Sequence, residues 1–381
     1  MTAPSTTESG VGDTRSVSPP SPRRPRWRPA RRGPRPAARR ALLRSPGALA
    51  GLWLIGLLVL VVSSALVTTI GPSGLTSGDV LQSALARVTG GDSGLSRIQE
   101  GIIWNLRLPR TVMAALAGAG LALCGVILQS LLRNPLADPY ILGISSGAST
   151  GAVLIVVLGI GAGAVGLTTG AFVGSLVAFG FVLLLAFASG GTTDRVVLAG
   201  VAATQLFSAM TSFVVYIAAD AEQTRGVLFW LLGSLASVRW SEAAVCAVVV
   251  LAGLVVCLLH TSELDAFTFG QDAAASLGVN VARIRLVLMV VTALVTAVIV
   301  STCGAIGFVG LVLPHAARAL VGNRHRVLVP TAALMGAVFL VWIDAASRTV
   351  IAPQELPVGV ATALIGVPAF VVLLLRRGRA R

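Results

Sequence analysis

The chain has 381 residues, of which 55% are hydrophobic and only 12% are charged, with a mean hydropathy of +0.88 and a formal net charge of +14. Soluble proteins carry about twice this fraction of charged residues, and here the apolar residues form runs long enough to cross a bilayer. Composition therefore excludes a soluble globular protein and predicts an all-α polytopic membrane protein.

The first 45 residues differ from the rest of the chain. They hold eleven arginines against Glu8 and Asp13, and therefore nine of the fourteen net positive charges. A segment this rich in Pro, Arg, Ser and Thr cannot bury a core, so we predict a disordered cytoplasmic tail at 1–45 that orients the first span and touches anionic lipid. Nucleic-acid binding is the alternative, but no folded module accompanies the basic run. A signal peptide is disfavoured because the following apolar run is too long.

The remainder, 46–381, is predicted as one transmembrane domain of about ten helices. The expected spans lie near 47–70, 109–132, 140–160, 163–189, 195–217, 241–260, 286–303, 305–321, 327–350 and 357–376. An even number puts both termini on one side, and the arginines of the tail, the loops and the final RRGRAR put that side in the cytoplasm. The polar segment 71–106 is predicted as an extracytoplasmic cap with a short helix over 80–88, and 227–240 as a buried or re-entrant stretch.

The stretch 107–151 carries the most specific motif. Arg107-Leu-Pro-Arg110 opens the second span at its outer end, where the arginines either snorkel to the interface or form a docking surface for an acidic partner. An Arg-Asn-Pro-Leu-Ala-Asp-Pro loop follows, in which two prolines stop the helix and Asn and Asp favour turns. A tight turn with a purely structural role would explain this pattern of residues equally well. Gly143, Gly147 and Gly151 would lie on one helix face and permit close packing between helices.

A second group of motifs lies in the C-terminal half. The segment GAIGFVGLVLPH, starting at Gly304, predicts a glycine hinge and a short apolar run that ends at Pro314. His315 is interpreted as a helix-end histidine whose hydrogen bonds are satisfied. Asp344 and Arg348 are spaced i,i+4 within one span, where they can pair and orient the arginine. The motif ELPVG precedes the last span.

The longest cytoplasmic loop, 261–285, is expected to contact a partner. Asp272 to Leu277 reads as a short helix that Gly278 stops. Because an isolated short helix is marginal in water, a groove on another protein is expected to hold it. The alternative is a solvated loop between two spans.

These motifs together resemble the FecCD-type permeases, the membrane subunits of binding-protein-dependent ABC importers for iron–siderophores, haem and cobalamin. The resemblance implies a type II ABC importer permease fold, a homodimer or a heterodimer with a similar chain, cytoplasmic ATPase subunits, and an extracytoplasmic substrate-binding protein. It implies a binding-protein docking role for Arg107, Arg110 and Arg348, and an ATPase coupling role for Gly270, Asp272, Ala275, Leu277 and Gly278. The residues that carry the family motifs structurally are Asn134, Pro135, Asp138, Pro139, Gly143, Gly147, Gly304, Gly307 and Pro314.

The missing motifs narrow the function further. There is no GxxxxGKS or HExxH sequence, so we expect neither a Walker ATP site nor an enzyme. The four cysteines lack CxxC spacing and are expected to be packing residues, and no metal or cofactor is expected. The prediction is a cell-membrane permease for a ferric siderophore, with haem or cobalamin as alternatives. An ion-coupled secondary transporter is the competing class, and it would need acids within the membrane.

Overall fold

The computed structural model describes residues 46–71, 74–159, 166–218 and 220–378. The predicted tail at 1–45 lies outside the described residues, as do 379–381. Within the described ranges the helices, in chain order, are α1 (Pro46–Thr69), α2 (Ser77–Thr89), α3 (Arg97–Gly101), α4 (Leu108–Leu131), α5 (Ile144–Leu158), α6 (Leu167–Ala188), α7 (Thr193–Ala218), α8 (Ala221–Leu231), α9 (Trp240–Leu259), α10 (Thr261–Phe267), α11 (Gln271–Ser276), α12 (Val281–Cys303), α13 (Val309–Val321), α14 (His325–Ser347) and α15 (Val358–Gly378). The all-α prediction is confirmed.

Each of the ten predicted spans corresponds to one apolar helix. Among the described residues, seven helices are long and apolar enough to cross a membrane, namely α1, α4, α6, α7, α9, α12 and α14. The other three, α5, α13 and α15, are also apolar, but their described apolar segments are shorter, at Ile144–Val157, Val309–Val321 and Val358–Val372. The prediction of about ten spans therefore agrees with the fold, with the boundaries shifted by a few residues. We call the end of the bundle near α2 the outer end and the end near α10 and α11 the inner end, after the predicted sides.

The cap over 71–106 contains more helix than predicted. A capping box between Thr76 and Asp79 starts α2, and Gly90, with φ of 73°, ends it. The chain then forms α3 and passes through a π-helical segment, Ile102–Arg107, directly into α4. The indole of Trp104 donates to Ser83 Oγ at 2.8 Å, so the cap is fixed onto the start of α4.

The core is organised around the helix α4, which is buried along most of its length. It packs against α14 at Gly118 and Gly336, where a Cβ on either residue would overlap the carbonyl oxygen of the other. A second close approach joins Gly125 of α4 to Gly310 of α13. Small residues are required here because the two backbones touch, which is the usual basis of helix association in a bilayer.

The 227–240 stretch, predicted to be buried or re-entrant, begins in a helix and continues as non-helical chain. Asp220 caps α8, whose last turn includes Leu228, and non-helical chain follows over 232–239. In that chain the N–H of Ser234 donates to the carbonyl of Cys303 at 2.8 Å, and Leu235 is fully buried. The buried part is therefore the short connection into α9. The start of α8 lies before this stretch, because its capping residue is Asp220.

Candidate functional sites at the two ends of the helix bundle

A buried ion-pair cluster lies at the outer end. Arg110 of α4 places its Nε 2.9 and 3.1 Å from the two carboxylate oxygens of Asp344 in α14. Its Nη1 lies 3.0 and 2.9 Å from the carboxylate oxygens of Glu355, in the segment before α15. Asp344 is fully buried, whereas 40% of the Glu355 side chain is exposed. One guanidinium thus joins three separate parts of the chain.

Arg348 belongs to the same cluster. Its Nε lies 3.3 Å from Asp344 Oδ2, the i,i+4 pair expected from the sequence. Its terminal nitrogens donate to the carbonyls of Ile70 and Val67 at 3.3 and 3.4 Å, at the end of α1. Arg348 therefore supplies additional donors to carbonyls at the end of α1, where few helical N–H donors remain.

Arg107 is the third arginine at the outer end. It lies in the π-helical segment, only 7% exposed, and its Nη1 donates to the carbonyl of Thr68 at 2.7 Å. We call Arg107, Arg110, Asp344, Arg348 and Glu355 the outer cluster. The structure brings together all three arginines that the resemblance assigned to docking, but their side chains are largely buried, and Glu355 is the most exposed carboxylate among them.

Sequence reasoning did not identify the Arg110–Asp344–Glu355 bridge. Asp344 was paired with Arg348 alone, because i,i+4 spacing is visible in a sequence and contact across 234 residues is not. A usable signal was present nonetheless. Acids and arginines within apolar helices need partners, and the outer ends of α4 and α14 carry charges of opposite sign.

The NPLADP loop at the inner end is built from two local turns. Asn134 Oδ1 accepts the N–H of Leu136 at 2.9 Å, and Asp138 Oδ1 accepts the N–H of Tyr140 at 3.0 Å. Pro139 then opens a short 3-10 helix, Pro139–Leu142. Burial of Asp138 raises the pKa of its carboxyl to about 6. The residues up to Leu136 are exposed and those that follow are mostly buried, so the loop turns back into the protein.

The second half of this loop contacts the GAIGFVG motif. The hydroxyl of Tyr140 donates to the carbonyl of Ile306 at 3.0 Å and accepts the N–H of the same residue at 2.8 Å. Pro139 Cδ lies 3.0 Å from the position that a Cβ on Gly310 would occupy. The two family motifs, which are far apart in the sequence, therefore form one packed unit.

The helix after the GAIG segment continues through Pro314 instead of ending there. Pro314 lacks an N–H, which leaves the carbonyl of Gly310 without its helical donor. The amide Nε2 of Gln129 in α4 donates to that carbonyl at 3.1 Å and to the carbonyl of Leu311 at 3.3 Å. This side chain compensates for the missing hydrogen bond, so α13 extends to Val321.

The predicted motif glycines have different surroundings. Gly147 and Gly151 lie against α6, where a Cβ would overlap the carbonyls of Gly174 and Gly170. Gly143 does not share their face, because it caps α5 with φ of 70° and packs against Ala203 of α7.

The hinge glycines also differ from each other. Gly304 ends α12 with φ of 71°, and a Cβ there would overlap the Trp230 carbonyl. Among the residues that the structure describes, none has an atom within 4 Å of the position of a Cβ on Gly307. Close approach therefore explains glycine at 304 but not at 307.

The predicted coupling segment forms a helix–turn–helix at the inner end. The short helix α11 runs from Gln271 to Ser276, and it is flanked by Gly270 and Gly278 with φ of 115° and 83°. Two large apolar side chains beside it point to the surface, with Phe269 76% and Leu277 72% exposed. The sequence placed this helix within one residue of its observed start and end.

A chain of polar contacts fastens this segment to the bundle. Asp265 Oδ1 in α10 accepts the N–H of His325 at 3.0 Å and lies 2.6 Å from its Nδ1. The other ring nitrogen of His325 lies 2.6 Å from Ser130 Oγ in α4. His325 is 1% exposed. The first residue of α14 is thereby held between the coupling segment and the end of α4, and its last turn carries Asp344 of the outer cluster.

Comparison with known proteins identifies the family. The model of the FecCD transport family matches residues 56–376. The chain is 42% identical over 282 residues to the cobalamin import system permease of Halobacterium salinarum, covering 74% of this chain and 75% of that protein. It is 38% identical over 280 residues to the iron(3+)-hydroxamate import system permease of Bacillus subtilis, covering 73% and 72%.

A solved structure gives the same result. A metal-chelate type ABC transporter in an inward-facing conformation superposes with a TM-score of 0.76 at 31% identity, covering 86% of this chain and 99% of that one. The family-model match over 56–376 includes the helices that form both the outer cluster and the inner-end motifs. The chain belongs to the FecCD transport family and is the membrane permease subunit of an ABC importer.

Proposed function

We propose that this permease translocates a ferric siderophore that an extracytoplasmic binding protein delivers. The observation that carries the proposal is the family match over 56–376, together with relatives named for cobalamin, iron(3+)-hydroxamate and metal-chelate transport. These cargoes are all metal chelates. Uptake of labelled ferric hydroxamate, haem and cobalamin by a deletion strain, with and without the restored gene, tests the choice. Restored uptake of cobalamin or haem alone would contradict the siderophore proposal and favour the corresponding alternative.

Energy is proposed to come from a separate ATPase. An ion-coupled transporter would need an acid within the membrane that can take up and release a cation. The fully buried Asp344 already contacts two guanidinium groups, those of Arg110 and Arg348, which favour its charged form and occupy its oxygens. Copurification of an ATPase with the tagged permease tests this proposal. Transport that follows an ion gradient in vesicles without ATP would contradict it.

The outer cluster is proposed to shape the docking face for the binding protein. Its three arginines outnumber its two carboxylates, so the face favours an acidic partner. Reversing Arg110 to glutamate would place a third carboxylate beside Asp344 and Glu355 and destabilise the fold. Arg107→Gln is a sharper test, because the hydrogen bond of Arg107 in the structure goes to the backbone carbonyl of Thr68.

The matched control is Arg97→Gln, since Arg97 is exposed on α3 at the same end, outside the cluster. We expect Arg107→Gln to weaken binding-protein affinity by about tenfold or more and Arg97→Gln to leave it unchanged. Equal affinities for Arg107→Gln and the wild type would contradict the docking role.

The coupling segment is proposed to dock on the ATPase through α11 and its flanks, including Gly270, Asp272, Ala275, Leu277 and Gly278. The support is the pair of exposed apolar side chains, Phe269 and Leu277, beside a six-residue helix. Leu277→Ser is expected to lower transport-coupled ATP hydrolysis without unfolding the chain. Leu320→Ser, at an exposed position of α13 near the inner end, is the control. Gly278→Pro would remove both a hydrogen bond to Ala275 and a positive φ, and should uncouple more severely.

A second permease chain, the same or similar, is proposed to complete the translocation path, with both termini in the cytoplasm. The support is the shallow apolar surface between α15 and the end of α8, which includes Leu232, Val360 and Leu364. A cysteine at Leu364 should crosslink two copies in a homodimer. Failure of that crosslink while a different permease chain copurifies would favour the heterodimer.

The proposed orientation, with both termini in the cytoplasm, is tested separately. Cysteines introduced near the termini should react with a membrane-impermeant maleimide only from the cytoplasmic side.

A further inference from the structure

His325, the first residue of α14, connects three helices at the inner end. Its Nδ1 lies 2.6 Å from Asp265 Oδ1 in α10, and its Nε2 lies 2.6 Å from Ser130 Oγ in the last turn of α4. The same carboxylate oxygen accepts the backbone N–H of His325 at 3.0 Å, where it also fits the positive end of the helix dipole. We call the contacts among Asp265, His325 and Ser130 the inner bridge.

The inner bridge can form in both protonation states of the imidazole ring. A carboxylate only accepts hydrogen bonds, so Nδ1 is the donor to Asp265. The hydroxyl of Ser130 can accept from a protonated Nε2 or donate to a neutral one. When the hydroxyl accepts, its own proton is directed to the carbonyl of Val126, which lies 2.8 Å from Oγ. The ring therefore connects α10 to α4 with or without its second proton.

The inner bridge gives α10 a defined position against the bundle. Leu264 and Phe267 of α10 are almost completely buried in the core, but apolar contacts are non-directional and do not by themselves fix a register. The hydrogen bonds of His325 are directional. Its side chain and that of Ser130 are only 1% and 5% exposed, so losing either contact would leave a buried polar atom without its partner.

The connection from α10 to α11 is short and internally hydrogen-bonded. Only three residues, 268–270, separate the two helices. The N–H of Phe269 donates to the carbonyl of Ala266 at 3.0 Å, and that of Gly270 to the carbonyl of Phe267 at 3.1 Å. The hydroxyl of Thr268 donates to the carbonyl of Asp265 at 2.6 Å. A displacement of α11 is therefore passed on to α10 and is not absorbed by a loose loop.

We infer that His325 is a positioning residue of the transport cycle, which passes movement of α11 to α4 and α14 through the inner bridge. The inference rests on the proposed docking of α11 on the ATPase. ATP hydrolysis drives transport only if displacement of the docked segment also moves the spans. Without the inner bridge α11 still docks and ATP is still hydrolysed, but less of the movement reaches the spans. The expected signature is uncoupling, with assembly retained.

The test compares two substitutions that each keep one half of the inner bridge. His325→Asn places an amide near the position of Nδ1 and can still contact Asp265, whereas His325→Gln places one near Nε2 and can still contact Ser130. His260→Gln is the control, because His260 pairs at 3.2 Å with Glu263, only three residues away. Ser130→Ala breaks the inner bridge without changing His325, and it keeps the test valid if the His325 variants fail to fold.

The measurement is the amount of substrate transported per ATP hydrolysed. The permease copurified with its ATPase is reconstituted with the binding protein in proteoliposomes. The probe is the labelled chelate, ferric hydroxamate, haem or cobalamin, whose uptake the gene restores. Both His325 variants and Ser130→Ala should lower the ratio by about tenfold or more, the effect of losing a hydrogen bond to a charged group. The ATPase should still copurify, and His260→Gln should keep the wild-type ratio.

Hydrogen exchange of the full-length chain in detergent gives a second readout, in which the amides of α10 and α11 should exchange faster in the His325 variants than in His260→Gln. An unchanged transport ratio in the His325 variants and in Ser130→Ala overturns the inference and leaves the ATPase docking proposal intact. An equal fall in His260→Gln also overturns it, as does a loss of transport and hydrolysis together in proportion to the loss of folded protein. If the wild-type permease associates with no ATPase, the docking proposal fails first and this inference fails with it.

Discussion

Asp344→Asn is expected to be among the most destabilising single substitutions in this permease. The change keeps the shape of the side chain and removes the charge that faces Arg110 at 2.9 Å and Arg348 at 3.3 Å. Both guanidinium groups are at least nine-tenths buried, with 9% and 8% of their side chains exposed. Removing one partner of a buried ion pair costs about 3–5 kcal/mol, because the remaining charge stays desolvated. Here Arg348 would lose the carboxylate at 3.3 Å, and Arg110 would keep only the contact with Glu355.

Glu355→Gln is the matched control, because Glu355 binds the same guanidinium at the same distance but is 40% exposed. An exposed pair contributes about 0–1 kcal/mol. Thermal unfolding of the chain in detergent should separate the two variants. At about 2 °C per kcal/mol, Asp344→Asn should lower the Tm by about 6–10 °C and Glu355→Gln by no more than about 2 °C.

A double-mutant cycle identifies the cause. If Arg110 and Asp344 stabilise each other, Arg110→Gln combined with Asp344→Asn should cost less than the two single changes added together, by about 0.5–3 kcal/mol. The burial reasoning would be refuted if Asp344→Asn lowered the Tm no more than Glu355→Gln, or if the cycle showed no coupling.

Three further outcomes follow from contacts described above. Gly125→Ala should lower the free energy of unfolding by about 1–3 kcal/mol, because the added Cβ would clash with the carbonyl of Gly310. Gly180→Ala is the control, since no described atom lies within 4 Å of a Cβ there. In the same unfolding assay it should be neutral or slightly stabilising. Tyr140→Phe should cost about 1–3 kcal/mol, because a buried backbone N–H and C=O lose their shared partner; an unchanged Tm would contradict this. The backbone and side chain of Thr76 hold the pKa of Asp79 below its usual value, so the stabilisation by the capping box is present at neutral pH and is lost as the pH falls through the lowered pKa. An NMR titration of Asp79 that gives an ordinary pKa would contradict that prediction.

Much of the architecture could be predicted from local sequence. Hydropathy over windows of about twenty residues located the ten apolar helices, because a membrane span is a local property of composition and length. Gly278 marked the end of α11 in the sequence, because a positive φ just after a helix selects glycine. The order of the motifs was specific enough to indicate the family.

Two predicted helix boundaries were wrong because they depend on features that the helical repeat of the sequence does not contain. Pro314 was expected to end a helix, but the amide of Gln129 supplies a hydrogen bond to the carbonyl that proline leaves unpaired. Gly143 was expected to share a face with Gly147, but its left-handed φ makes it the cap of α5. In each case a contact or a backbone angle outside the helical repeat decided the outcome.

Local sequence is enough to show that this chain is a multi-pass membrane protein, where its spans lie and to which family it belongs. Which charges pair with each other depends on how the helices pack. Arg110 meets Asp344 and Glu355 because α4 and α14 approach closely at Gly118 and Gly336, and nothing in the spacing of the charges reveals that contact. In a bilayer, hydropathy specifies each span separately, whereas the packing of small residues specifies which spans become neighbours.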